Sequence, residues 1–266
     1  MKATLIHHQG FGDLFTSNAL CNYYAKALEE LIIFAFDNQR FEIMKKMYKH
    51  LDNVKIIVPE YTTTKTGDSC IQCHTDCFEH NCPRGPYPTC QYIDYSNYSE
   101  YKNIKIGCFG GFDEWLKFLS KEKSFSHAFY NYAEIDINTR IDMFKIDRDE
   151  NEENSIFNTF EYFDKEYIVI HDDSKRSLNI DRTHIPTGLP LYQLDSQSKT
   201  MLDQLKIIEN AKEIHLIDSS YSVLVYYLSF YSEKIKNTPK YIHSYMNRNR
   251  DYNIYVEPTP ENWYII

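Results

Sequence analysis

Apolar and polar positions along the chain keep changing between two periods. Residues 2–7 read as a short apolar strand, and Gln9-Gly10-Phe11-Gly12-Asp13 follows as a tight, glycine-containing turn. Over 14–30 the apolar residues Leu14, Leu20, Tyr23, Tyr24, Ala27 and Leu28 recur at helical spacing, and 31–36 is a continuous apolar run of strand length. A helix is then predicted over 41–51 and a strand over 54–58, closed by Pro59. The rhythm breaks at 62–92, rich in Cys, Pro, Thr and Gly with no apolar period, which reads as an inserted loop. It resumes with a strand at 104–107 and helices at 112–119 and 126–132. Residues 147–154 are polar and mostly acidic, a linker or the solvated start of a helix running to 160.

The second half opens like the first. Residues 167–171 form a strongly apolar strand and 172–176 a polar turn. A strand at 191–194, a helix over 200–211, a strand at 213–217, a heavily apolar helix over 222–231 and late strands at 241–243 and 253–256 follow. Strands that read as apolar runs and alternate with helices imply parallel sheets covered on both faces. The predicted fold is therefore α/β, with two Rossmann-like lobes facing a cleft: 1–150, carrying the Cys-rich insertion at about 62–92, and 151–266.

Composition changes this picture little. At 266 residues, 42% hydrophobic and 25% charged, the chain lies far from the disordered corner of sequence space and can hold two small domains. Its 23 tyrosines accompany abundant Ile, Asn and Lys, as AT-rich codons favour, so single tyrosines are discounted as binding signals. A formal charge of −9 argues against a nucleic-acid partner, because phosphate neutralisation needs a basic face. No membrane span is expected, since no apolar run reaches about 18 residues, and the apolar start before His7 is too short for a signal peptide. The cytoplasm is the expected compartment.

Three polar turns at strand ends could carry chemistry. The glycines Gly10 and Gly12 let the backbone approach a ligand and set Asp13, His7 and His8 near the carboxyl edge of the first sheet, where a general base belongs. A third glycine is missing, so this is no dinucleotide fingerprint, and the same residues serve a plain helix start in which Asp13 is a first-turn acid. Asp218, Ser219, Ser220 and Ser222 lie between an apolar strand and an apolar helix, a pattern that suits a diphosphate and ordinary capping alike. Lys175 and Arg176, just past the second half's first strand, could neutralise a leaving diphosphate or merely face solvent.

On these residues the chain resembles the GT-B glycosyltransferases, and within them the heptosyltransferase-type (ADP-heptose) branch. Gly10-Phe11-Gly12-Asp13 is similar to that family's glycine-Asp turn with its proposed base. Ile217-Asp218-Ser219-Ser220-Tyr221-Ser222-Val223-Leu224 is similar to its donor-binding turn, although Ser220 stands where the family has Gly and Val223 where it has His. Lys175 and Arg176 sit where the family has a basic phosphate contact. The resemblance implies an acceptor lobe at 1–150, a donor nucleotide-binding lobe at 151–266, and transfer of a sugar from a nucleotide-sugar donor to the hydroxyl of a glycan or other acceptor. Asp13 and His8 would be the catalytic residues, with no cofactor or metal required for catalysis.

Five of the seven cysteines crowd into the insertion. Cys70 and Cys73 have the two-residue spacing that lets one turn supply two thiolates to a tetrahedral zinc, and Cys82 and Cys90, with Cys77 and His80 as substitutes, could complete the set. The alternative is a reduced, solvent-facing loop. Two other functions remain open on the sequence: a catalytically inactive nucleotide- or glycan-binding module, and a zinc-loop interaction protein.

Overall fold

The computed structural model describes residues 1–7, 10–62, 92–106, 125–173, 177–194, 200–243 and 259–266. His8, the cysteine-rich segment with Cys70, Cys73, Cys77, Cys82 and Cys90, the predicted helix at 112–119, Lys175, Arg176 and the predicted strand at 253–256 lie outside the described residues. The chain divides into two compact units, Met1–Ile146 and a second that begins at Asp147.

The first unit is built on β1 (Lys2–His7), buried at five of its six positions because it pairs on both sides. Helix α1 (Phe11–Ala27) returns the chain to β2 (Glu30–Phe34), and α2 (Asn38–Met47) leads to β3 (Val54–Ile57). A small antiparallel pair, β4 (Tyr61–Thr62) and β5 (Tyr92–Ile93), and a 3-10 turn at Ser96–Tyr98 precede β6 (Lys102–Ile106). The four long strands are all parallel in the order β3-β2-β1-β6. Registers such as Leu5↔Ile33, Ile33↔Ile56 and Leu5↔Ile104 align apolar side chains across the sheet. The chain thus adds strands on one side of β1 twice and then returns to its other side.

Helix α1 is buried on nearly every face, which is why its polar positions break the helical stripe. Asn18 takes both bonds of the Lys145 backbone, its Nδ2 donating to Lys145 O at 2.9 Å and its Oδ1 accepting from Lys145 N at 2.8 Å. Asn22 Nδ2 donates to Met143 O at 3.0 Å, and Asn22 Oδ1 lies 3.2 Å from His50 Nε2. These amides fasten α1 to the segment that follows α3 (Phe125–Tyr132) and α4 (Thr139–Asp142). Cys21 is wholly buried in the same helix, and burial pushes its thiol up to about 12, so it packs as a small apolar group.

The acidic stretch lies where the second unit begins and, as the second of its two readings has it, starts a helix. Asp149 accepts from Glu152 N at 3.0 Å and caps α5 (Glu150–Thr159), while Glu153 is buried against Arg148. Arg148 also pairs with Glu209 of α6 (Leu205–Glu209) at 2.7 Å, so one acid of the stretch, Glu153, helps to join two elements while Asp149 and Glu150 stay exposed. The predicted 200–211 helix is a 3-10 turn, Met201–Gln204, continued by α6. Helix α7 spans Ser220–Leu228 rather than 222–231, and α8 (Glu233–Asn237) follows it.

Strands β7 (Ile168–His171), β8 (Leu191–Gln193), β9 (Glu213–Ile217), β10 (Lys240–His243) and β11 (Trp263–Ile265) form one parallel sheet in the order β11-β10-β9-β7-β8. Counted along this unit the order is 2-1-3-4-5, the doubly wound arrangement in which direction reverses between the first and third strands. Residues 178–189 fold back over one face, Ile180 and Ile185 packing with Ile168, Ile170 and Ile217. Asp172 holds this segment, accepting from Ile180 N at 2.7 Å and pairing with Arg182. Among the described residues no helix is long and apolar enough to cross a membrane.

Candidate functional site

In an open parallel sheet the loops after two adjacent strands diverge to opposite faces where the strand order reverses, leaving a crevice at the carboxyl ends. In the first unit the reversal lies between β1 and β6, paired as far as His7↔Ile106. Gly10 and the start of α1 follow directly from β1, so the glycine-Asp turn borders that crevice. In the second unit the reversal lies between β7 and β9, paired as far as His171↔Leu216. Asp218, Ser219 and Ser220 follow directly from β9 there.

The first turn is held by Asp13. Its Oδ2 accepts from Gly10 N at 3.0 Å, while Asp13 N and Leu14 N donate to Gly10 O at 2.9 and 3.2 Å. Gly10 has φ −59 and ψ 147, open to any residue, so conformation does not demand the glycine. Space does: a Cβ there would lie 2.8 Å from Asp13 Oδ2. Gly12 is the second residue of α1, and its carbonyl accepts from Thr16 Oγ1 at 3.2 Å. Nearby, the Arg40 guanidinium lies 4.7 Å from the Phe11 ring centre and 5.4 Å from that of Phe36, while pairing with Asp37. The sequence reading missed this cation at the carboxyl side of β1 and β2. The only signal for it was an Arg in the first turn after a strand.

The second turn separates its serines. Ser222 is fully buried; its Oγ accepts from Ser219 N at 3.0 Å and donates to Ser219 O at 2.6 Å, so it closes the first turn of α7. Ser219, the N-cap that shares a capping box with Ser222, also meets His171, Oγ to Nδ1 at 3.0 Å. The His171 ring sits 4.7 Å from that of Tyr221. His171 is the residue that sequence reasoning passed over when it singled out Lys175 and Arg176 in the turn that follows it. Its place as the last residue of an apolar strand was the available clue. Asp218, Ser219 and Ser220 are all partly exposed.

No protein-family model and no curated protein matches the chain. Among solved structures it is similar to the E. coli heptosyltransferase WaaC with ADP, at 12% identity, over 100% of this chain and 90% of that one, with a TM-score of 0.39. A score that low leaves the two backbones too far apart to carry a residue from one to the other.

With this geometry the first edge offers a carboxylate anchored by a backbone N–H. The second offers hydroxyls and the opening turn of a nine-residue helix. The latter suits a group rich in acceptor oxygens, and the former suits a proton on its way off a hydroxyl. Among the described residues no cluster of three or more His, Cys, Asp or Glu is arranged to hold a metal ion.

Proposed function

We propose that the chain is a glycosyltransferase of the GT-B kind, moving a sugar from a nucleotide sugar to an acceptor hydroxyl. One observation carries this reading: the two polar turns with transferase-like residues both fall at the strand-order reversals of separate parallel sheets. Chance placement of a turn does not favour those positions over other strand ends, whereas ligand binding does.

In this reading Asp13 accepts the proton of the attacking hydroxyl as the bond to the anomeric carbon forms, and His8 is the second catalytic residue. The glycosidic bond to the nucleotide diphosphate breaks, and the departing oxygens collect negative charge. Ser219, Ser220 and the first N–H groups of α7 would bind those oxygens, and Lys175 and Arg176 would neutralise them. Charge stabilisation by protein cations and backbone dipoles lets the step proceed without a catalytic metal.

A second reading has its own observation. Asp13 Oδ2 is bonded to Gly10 N as a helix-start acid would be, which fits a nucleotide- or glycan-binding module without catalysis. Titration calorimetry with nucleoside diphosphates and their sugars, on the wild-type chain and D13N, separates the two. Transfer requires donor binding in both proteins and turnover only in the wild type. Binding in both with turnover in neither selects the module. Absence of binding at millimolar ligand rejects both the transferase and a nucleotide-binding module.

A further inference from the structure

We infer that His215 and His243 form a pH-sensitive latch that holds residues 178–189 on the face of the second sheet and releases them as the pair takes up protons. This inference stands on the sheet itself and does not rest on the transferase reading.

His215 lies in the middle of β9 and His243 ends β10, 0% and 2% exposed. In the parallel register His215 faces Tyr241 and His243 faces Ile217, so both rings occupy the face that Ile217 presents to Ile180 and Ile185. His215 Nδ1 is 3.1 Å from His243 Nε2, and His215 Nε2 is 3.2 Å from Glu213 Oε2. This arrangement fixes the protons. A carboxylate can only accept, so His215 carries its hydrogen on Nε2; its Nδ1 is then an acceptor, and His243 must donate from Nε2. The bond between the rings therefore requires His215 Nδ1 to stay unprotonated, while His243 can donate from Nε2 whether neutral or charged.

Among the described residues the charged and titratable neighbours come from three strands and the covering segment. Glu213 on β9 is a carboxylate bonded to the pair, and Tyr241 on β10 stacks on His215 with ring centres 4.6 Å apart, backed by Tyr264 of β11. From the covering segment come Asp181, Arg182 and His184, the His184 ring 6.2 Å from that of His243. Arg182 reaches across to Asp172 at the end of β7. Burial first, and then Arg182 and His184, hold His215 at about 4; burial, His215, His184 and Arg182 hold His243 at about 4 against the opposing pull of Asp181.

The consequence follows from counting donors. One added proton places a cation beneath Arg182 and His184, the two basic groups of the covering segment. A second leaves an N–H on each side of the 3.1 Å gap, and the bond is lost. The first repels the cation of the covering segment, the second leaves a covered donor without its acceptor, and both are relieved when 178–189 lifts and water reaches the rings. The sign is that of a base whose pKa is depressed in the closed state. The latch has full strength above the ordinary imidazole value of about 6.5. It weakens as pH falls from there toward about 4.

The test is amide hydrogen exchange of the full chain, corrected for intrinsic rates, between pH 7 and 4.5. It is paired with NMR titration of the histidine Cε1–H resonances. Protection of 178–189 should fall roughly tenfold per pH unit for each proton taken up, ahead of any loss in β9 or α7. In H243Q, whose amide can still donate to His215 Nδ1, the slope should drop to about that of one proton. The inference is overturned if 178–189 stays as protected as β9 throughout, or if the two resonances titrate independently near the ordinary value. A wild-type slope retained in H243Q also overturns it. If H243Q does not fold, the wild-type exchange and titration data decide by themselves.

Discussion

Replacing Gly10 by Ala tests whether the Asp13 carboxylate is chemistry or capping, because the added methyl meets almost nothing else. Its Cβ would stand 2.8 Å from Asp13 Oδ2, 3.4 Å from Cγ and 3.9 Å from Oδ1, all atoms of one side chain. The carboxylate must swing away and give up the 3.0 Å bond from Gly10 N. Losing that helix-start contact costs about 0.5–2 kcal/mol. The backbone at φ −59, ψ 147 accepts alanine, and the stiffer unfolded chain returns about 0.4–1 kcal/mol. Net stability should therefore fall by no more than about 1.6 kcal/mol. Transfer behaves differently. A general base moved off its position, or replaced in D13N by an amide of the same shape, should cost about 10²–10⁴-fold in rate. Initial rates with donor and acceptor, read beside urea denaturation and donor affinity by calorimetry, give the comparison. If G10A and D13N both retain rates within about threefold of wild type, against the expected losses, while stability falls, Asp13 is a cap alone and the transferase mechanism is wrong.

Three further outcomes are expected. N18L should destabilise the first unit by roughly 1–3 kcal/mol for each Lys145 backbone group left unbonded, seen as a lower urea midpoint with an unchanged slope. R148M leaves Glu153 and Glu209 facing each other without their shared cation; it should cost about 3–5 kcal/mol in the same assay, and an E153Q/E209Q/R148M chain should recover part of that loss. The cysteine-rich segment is expected to hold about one zinc per chain by elemental analysis of freshly purified protein. C70S/C73S should lower that content, and an unchanged value would assign the thiols to a reduced loop.

Element types were legible wherever burial on both sides of a sheet forces an apolar run. The strands at 2–7, 167–171 and 213–217 needed no pairing information, because a central parallel strand has no polar face to confuse the period. Boundaries slipped where a helix is buried all round. Helix α7 has buried side chains at every position from Tyr221 to Leu228, so no stripe marks its end, and the apolar run carried the predicted helix three residues too far. The edge strand β11 and the covering segment 178–189 went unseen for the opposite reason. Each has only a few apolar residues whose partners lie far away in sequence, as with Ile180 and Ile185 against Ile217.

The candidate site shows where sequence reasoning stops, because Ser219, Ser220 and Ser222 are chemically equivalent on the page. Composition and spacing assign all three to ligand binding or all three to capping. What separates them is register: β7 and β9 pair Ile170↔His215 and His171↔Leu216, which brings the end of β7 level with the end of β9. His171 then meets the first serine past the strand, which is the N-cap, and Ser222, three further on, turns inward to complete the capping box. Register is a contact over 48 residues of separation, and nothing local encodes it. The same argument explains the histidine latch. His215 and His243 are unremarkable as single apolar-strand histidines, and only the adjacency of β9 and β10 makes one the proton donor of the other.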